Sequence, residues 1–296
     1  MARKRKLTVS VANIHMHPHS ENEYEALLTS TYRMRLPIKV YGDQYIIMSS
    51  LRREGQGASR KLRGELSKFT RIDLDGPWFD MSTLGEADED DIEQISIPEN
   101  LYPNLHSFSF AFFPRHHFFV FESYGGGRAL SQRMLQKYLE TAFMQGPIVR
   151  RFPSVGVDIV ADHRQLDAIF NLSLLEELRI HISRPNPDHW DDDLDKDIEE
   201  RLTEQNAQSF DLSYEAIKGM SLKPSEKTKS IATVALKNGE VIGKGKDESG
   251  LTVTRSTAEM PVEHITRYDP DILSQSQAFL KAASELVDEL LKALQK

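Results

Sequence analysis

His106-Ser-Phe-Ser-Phe-Ala-Phe112 alternates polar or small residues with aromatics, the period-two pattern of a half-buried strand. Pro114-Arg115 turns the chain, and His117-Phe-Phe-Val-Phe-Glu122 reads as a second strand. Tyr124-Gly-Gly-Gly-Arg128 interrupts the pattern before Leu130, Met134, Leu135, Tyr138, Leu139, Ala142 and Phe143 recur at helical spacing. Strand, turn, strand, glycine loop, helix is therefore the unit around which the rest of the chain is expected to pack. Phe at this density is expected in a core, although the aromatic strands also have the look of a base-stacking sheet, with His116 and His117 at the hairpin tip.

Upstream of this unit, Leu7 to Ile14 alternates as an opening strand, with Leu7, Val9 and Val11 on one face. Ser20-Glu-Asn-Glu23 has the form of a capping box, which predicts a helix to about Arg33. Ile38 to Leu51 reads as a strand region with a turn or bulge at Gly42-Asp43, and Leu62 to Leu74 as a weaker strand. Trp78 to Glu99 reads as an acidic loop. Downstream, Val155 to Val160 predicts a strand, Arg164 to Asn171 a helix, and Leu178 to Ser183 another strand. Asp191 to Lys218 is expected to be mostly helical, with Leu194, Ile198 and Leu202 at four-residue spacing and a break near Asn206 to Asp211. Asn238-Gly239 predicts a hairpin turn between strands Ser230 to Leu236 and Glu240 to Lys244. With Asp247 to Gly250 turning the chain into Leu251 to Arg255, the last sheet is expected to be a three-stranded meander. Ile272 to Lys296 carries the apolar stripe of an amphipathic helix, which either docks on its own sheet or joins another subunit.

The expected fold class is α+β, with two halves of antiparallel sheet, helices on one face, and a tandem ferredoxin-like plan. The domains are expected at 1-150, holding the aromatic hairpin and glycine loop, and 151-296, ending in the amphipathic helix. Gly146-Pro147 and Phe152-Pro153 punctuate the boundary.

At 296 residues and 39% hydrophobic the chain can bury a sizeable core. No apolar run approaches the roughly 18 residues of a membrane span, and Met1 to Leu7 lacks the apolar middle of a secretory signal, so a cytoplasmic location without membrane contact is expected. The chain has no cysteine, which excludes disulfides, thiolate metal sites and thiol nucleophiles. Neither Gly-x-Ser-x-Gly nor His-Glu-x-x-His occurs.

Net charge is -8, yet basic residues gather at Arg52, Arg53, Arg60, Lys61, Arg63, Lys68 and Arg71. That run is either a solvated surface or a phosphate-binding one. Gly125, Gly126, Gly127 and Arg128 before a helix offer amides and a guanidinium to an anion, with Arg133 and Lys137 as helpers, although the segment matches neither the P-loop nor the dinucleotide fingerprint. His15, His17 and His19 fall on one side of an extended strand end, and His15 or His17 is the candidate for acid-base catalysis. No second cluster at ligand spacing accompanies them, and the acidic run at Asp188 to Asp195 lacks the EF-hand pattern, so no metal or cofactor is expected.

Four segments, Ile14-His-Met-His-Pro-His19, Val40-Tyr-Gly-Asp-Gln44, Arg179-Ile-His-Ile-Ser-Arg-Pro-Asn186 and Asn238-Gly-Glu-Val241, together resemble an uncharacterised bacterial family, a domain of unknown function that spans nearly this length. Such families are met beside mobile elements and anti-phage genes, so the resemblance implies a role near nucleic acid and no particular catalytic residue. A tandem ferredoxin-like plan is similar to that of CRISPR repeat-processing endoribonucleases, whose glycine-rich loop lies near the C-terminus whereas here it is mid-chain. The expected function is thus RNA-leaning nucleic-acid binding in a bacterial defence or toxin-antitoxin system. The alternatives are a metal-independent endoribonuclease using the N-terminal histidines, and a non-catalytic assembly subunit that joins a partner protein or a second copy through 272-296.

Overall fold

The structure, a computed structural model, describes residues 4–17, 20–185 and 193–294. In chain order the elements are β1 (Arg5–Met16), α1 (Glu21–Met34), β2 (Ile38–Tyr41), β3 (Gln44–Glu54), β4 (Lys61–Thr70), β5 (Phe79–Asp80), β6 (Gly85–Glu86), α2 (Glu89–Ile92), β7 (His106–Phe113), β8 (Phe118–Gly125) and β9 (Arg128–Ala129). There follow α3 (Gln132–Phe143), α4 (Gly146–Val149), β10 (Val155–Ile159), α5 (His163–Phe170), β11 (Leu174–Ser183), α6 (Asp193–Glu204), β12 (Ser209–Glu215), α7 (Glu226–Asn238), β13 (Gly239–Lys246), β14 (Thr252–Ser256), β15 (Glu263–Tyr268) and α8 (Gln275–Leu294). The fold is α+β.

A first antiparallel sheet runs β10-β1-β8-β7-β4-β3-β2, with β15 also pairing β1 and β9 pairing β8. The segment β10-β1-β8-β7, joined through α1 and α3, is a split βαβ plan, and β4, β3 and β2 extend it as a meander. Strand β1 alternates between the two faces. Ala12, Ile14 and Met16 join Tyr24, Leu27 and Leu28 of α1 and Leu135, Tyr138 and Leu139 of α3. Leu7, Val9 and Val11 join Phe279, Ala282, Ala283 and Leu286 of α8. This sheet therefore carries helices on both faces, because β1 has no polar side to leave in water. The aromatic residues Phe108, Phe110, Phe112, Phe118, Phe119 and Phe121 are all buried. His117, at the hairpin tip, is buried at φ +59° with its ring 4.7 Å from that of Tyr24, so it is not available to a base.

The second sheet is β12-β11-β13-β14, with α5, α6 and α7 on one face. Its order differs from that of the first sheet, so the split βαβ plan is not repeated here. Strands β10 and β15 and helix α8, all beyond residue 150, belong to the first sheet's layers. Two expectations are corrected. Residues 209–215 form a strand, not helix: Phe210, Leu212 and Tyr214 alternate and pair with β11. Residues 230–236 form helix, not strand: Ser225 caps α7 by accepting from Thr228 N, and Ala232, Ala235 and Leu236 enter the core. Asn238-Gly239 ends that helix. A Cβ on Gly239 would fall 2.0 Å from the His181 carbonyl oxygen, so this glycine serves a close approach to β11 rather than a two-residue turn. The last sheet is accordingly four-stranded, and only its β13–β14 hairpin matches the expected meander.

The apolar stripe of α8 docks on its own sheet, with Phe279 1% exposed. Phe279→Ala is expected to lower stability by about 3–5 kcal/mol, the usual cost of emptying a buried Phe site. Urea unfolding followed by circular dichroism measures this, and a loss well under that range would mean that α8 contributes little.

Candidate functional site

The basic segment does not form one groove. Arg53 and Arg60 turn toward α1 and share the buried carboxylate of Glu25, with Arg60 Nε 3.0 Å from Glu25 Oε1 and its Nη2 2.8 Å from Glu21 Oε2. Arg63 pairs with Glu54 at 2.8 Å and lies with Arg52 in a shallow cleft beside α8 that also holds Glu65. Lys61 is half-buried on β4, opposite Glu54. Alternation along β3 and β4 sends neighbouring cations to opposite faces, and the chain's own carboxylates neutralise most of them. The expectation of a single surface built from Arg52, Arg53, Arg60, Lys61 and Arg63 is corrected accordingly.

The glycine loop is also not what the spacing suggests. Gly126 and Gly127 take φ +57° and +78° and close a two-residue hairpin between β8 and β9, a turn that needs positive φ at both positions. Gly125 is buried against Glu122 and Gln275. The N-terminus of α3 lies beyond β9 and is capped by Ser131, whose hydroxyl accepts from Met134 N. The dipole end of that helix is therefore not presented by the glycines. Arg133 and Lys137 are exposed on α3, outside the pocket described next.

What the hairpin does is deliver Arg128 to Lys68 and His106. Lys68 and His106 are direct cross-strand partners on β4 and β7. Together with Arg128 they line a pocket of about 400 Å³ with Gln44, Phe69, Thr70, Asn104, Gly127 and Ala129, and no carboxylate is among these lining residues. Lys68 donates to the Ala129 carbonyl at 2.6 Å and lies 5.5 Å from the centre of the Phe108 ring. Burial, and then the charge of Arg128, pull the Lys68 pKa down. Burial first, then Arg128 and then Lys68, lower that of His106. Protonating His106 opposite Lys68 would set like charges face to face, which costs stability, and no carboxylate in the pocket lining offsets them. The side-chain oxygen of Gln44 is buried there without a hydrogen-bond partner. Lys68 and His106 sit 38 residues apart in sequence, so only strand register, which spacing alone does not reveal, could have joined them.

His15 lies elsewhere, in a cleft of about 320 Å³ between β10 and α3 on one side and the second sheet on the other. Its Nε2 is 3.2 Å from Asp158 Oδ2, and the ring is almost fully buried. Across the cleft, His181 Nδ1 is 3.1 Å from Asp211 Oδ1. Glu140 has its pKa raised by burial and by Asp158. The described lining includes Glu140, Asp158 and Glu240 but neither lysine nor arginine. His17 is not part of this lining; its Nε2 is 3.4 Å from the Arg184 carbonyl oxygen. His19 lies outside the described residues, as does the acidic stretch 186–192. Among the described residues no group of three or more histidines and carboxylates is arranged to hold a metal ion, and no helix is long and apolar enough to cross a membrane.

A family model described as Domain of unknown function (DUF4747) matches residues 5–284. The chain belongs to this family. No curated protein matches it. The DUF4747 match runs from β1 into α8 and so includes both the cationic pocket and the histidine cleft.

Because the His106 pKa is lower folded than unfolded, the folded state resists its protonation. Its penalty is absent above the ordinary value of 6.5, grows as pH falls from there toward the lower folded value, and is constant below it. In an NMR titration, Arg128→Ala is expected to raise the His106 pKa by removing a like charge, and inorganic phosphate added to the unmutated chain to raise it by supplying an opposite one. A His106 resonance indifferent to both would show that the three groups do not share a field.

Proposed function

We propose that this protein binds nucleic acid through the pocket of Lys68, His106 and Arg128, with RNA as the favoured form. One observation carries the reading: three groups that can be cationic meet at a sheet end where no lining carboxylate answers them. Phosphate oxygens supply the missing charge, and Asn104 and Thr70, joined at 3.2 Å, add polar atoms beside it. The arginine offers a planar fork to phosphate while the lysine acts as a point charge. An overall charge of -8 argues that contact is confined to this patch.

The endoribonuclease alternative has a held imidazole in His15. It has no lysine or arginine among the described residues lining the same cleft to stabilise a phosphorane, so the geometry favours binding over cleavage. The packing of the apolar stripe of α8 within the chain speaks against the assembly alternative.

Fluorescence anisotropy with a labelled single-stranded RNA, repeated at several salt concentrations, tests the reading. Affinity is expected to fall with salt, with a log-log slope of about −0.7 for each phosphate engaged. Lys68→Ala and Arg128→Ala should each weaken binding about five- to tenfold and reduce the magnitude of that slope by about 0.7, in keeping with the loss of one phosphate contact. Binding that ignores salt, or that survives both substitutions, would remove this pocket from consideration.

A further inference from the structure

We propose that the same sheet end carries a base-stacking subsite on its opposite face, so that the ligand is a single strand whose backbone lies in the cationic pocket and whose base enters the neighbouring cavity. The inference rests on the phosphate-binding reading given above and adds the class of nucleic acid.

The start of β3, the end of β4 and the loop entering β7 meet at this sheet end. Gln44, Lys68, Thr70, Asn104 and His106 line the cationic pocket. Their chain neighbours Tyr45, Arg71, Tyr102 and Pro103 line a cavity of about 720 Å³, a volume suited to a small planar ligand. Alternate residues of a strand point to opposite faces, so the two cavities stand back to back across the strand ends. Hydrogen bonds tie the two linings together, with Asn104 donating to Thr70 Oγ1 at 3.2 Å and Thr70 N donating to the Pro103 carbonyl at 2.9 Å.

An aromatic ladder stands at the second cavity: Tyr45 and Tyr102 line it, and Phe69, whose residue borders the cationic pocket, lies between their rings. The rings of Tyr45 and Phe69 stand 6.3 Å apart at 11°, and those of Phe69 and Tyr102 stand 4.9 Å apart at 24°. Phe69 is buried between its two neighbours. At one end Arg71 lies 6.0 Å from the centre of the Tyr45 ring. At the other end Tyr102 is 39% exposed, leaving the ladder open to a further flat ring. Leu74, Pro98 and Leu101 add apolar walls.

Charge separates the roles of the two cavities. In the aromatic one Asp43, Asp73, Asp75 and Glu99 outnumber Lys39, which pairs with Asp43 at 3.5 Å, and Arg71, so its lining disfavours phosphate while offering acceptors to the amino groups on a base edge. The other cavity attracts phosphate and has no ring ladder. A duplex keeps its bases stacked within the helix and cannot hand one to Tyr102, whereas a single strand can.

The test compares, by fluorescence anisotropy on the full chain, one single-stranded RNA, the same strand made abasic, and its duplex. With the parent strand, Tyr102→Ala is expected to weaken binding about 5- to 100-fold, the range for loss of one stacked base, and Tyr102→Phe to retain it. The abasic strand should bind more weakly than the parent and be indifferent to Tyr102→Ala, yet still be weakened by Arg128→Ala. If the abasic strand and the duplex bind as tightly as the parent and Tyr102→Ala changes nothing, the stacking subsite is refuted while phosphate binding stands. If no strand binds, or if Arg128→Ala is without effect, the underlying reading fails and takes this inference with it.

Discussion

Strand β1 is buried on both faces, and the rest of the molecule follows from that constraint. Every residue from Leu7 to Met16 is buried, so each face of the strand requires its own cover. Helices α1 and α3 supply one cover and α8 supplies the other, which is why a helix from the far end of the chain belongs to the first sheet. A polar side chain in such a strand must find a partner or cost stability. Ser10 donates to the Val262 carbonyl, and Asn13 donates to the side chain of Asn238, which ends α7. His15 meets Asp158. Among these buried polar groups, Thr8 Oγ1 has no hydrogen-bond partner. The polar positions of β1 thus act as fasteners: Ser10 holds the segment leading to β15, Asn13 holds the helix packed on the second sheet, and His15 fixes the adjoining edge strand.

The same economy governs the arginines. Glu25 is 6% exposed and carries both Arg53 and Arg60. Withdrawing these arginines would leave the buried Glu25 carboxylate with less opposite charge, which costs stability. Those two arginines hold α1 against the meander and are not free to serve phosphate. Lys68, His106 and Arg128 are in the opposite situation, because no neighbouring carboxylate has to be left behind when an anion arrives. The difference between structural and available charge is thus decided by burial of the partner, not by the density of basic residues along the chain.

Much of the fold was legible because periodicity reports burial. The alternation of Leu7, Val9 and Val11, the aromatic hairpin and the stripe on α8 each describe a face that must be covered, and each was found covered. Two short segments misled for identifiable reasons. In β12 only Phe210, Leu212 and Tyr214 alternate, too few to outweigh the helical spacing that precedes them. In α7 the β-branched residues Ile231, Thr233 and Val234 and the pair Asn238-Gly239 imitate a strand and its turn, but packing against β11 overrides local preference. The candidate site was legible only in part. Lys68 and Arg128 were visible as cations, while His106 looked like the first residue of a core strand until register set it opposite Lys68. Tyr45, Phe69 and Tyr102, scattered over 58 residues, became a ladder only when the start of β3 and the end of β4 met the loop entering β7.

Register also separates the two polar sites. Thr8 pairs with Tyr124, close to the glycine hairpin that delivers Arg128, whereas Asn13 pairs with Phe118 and His15 lies two residues further on. From Thr8 to His15 is seven residues of extended chain, roughly 23 Å at the rise of a β-strand. The cationic pocket and the histidine cleft therefore stand toward opposite ends of β1, and one carries positive charge where the other carries Glu140, Asp158 and Glu240. A scissile phosphate held by Lys68 and Arg128 is out of reach of His15, and a phosphate brought to His15 meets carboxylates. Binding and acid-base chemistry cannot converge on one phosphodiester in this arrangement. The two polar sites are thus separated along β1 both in position and in the sign of the charge that lines them.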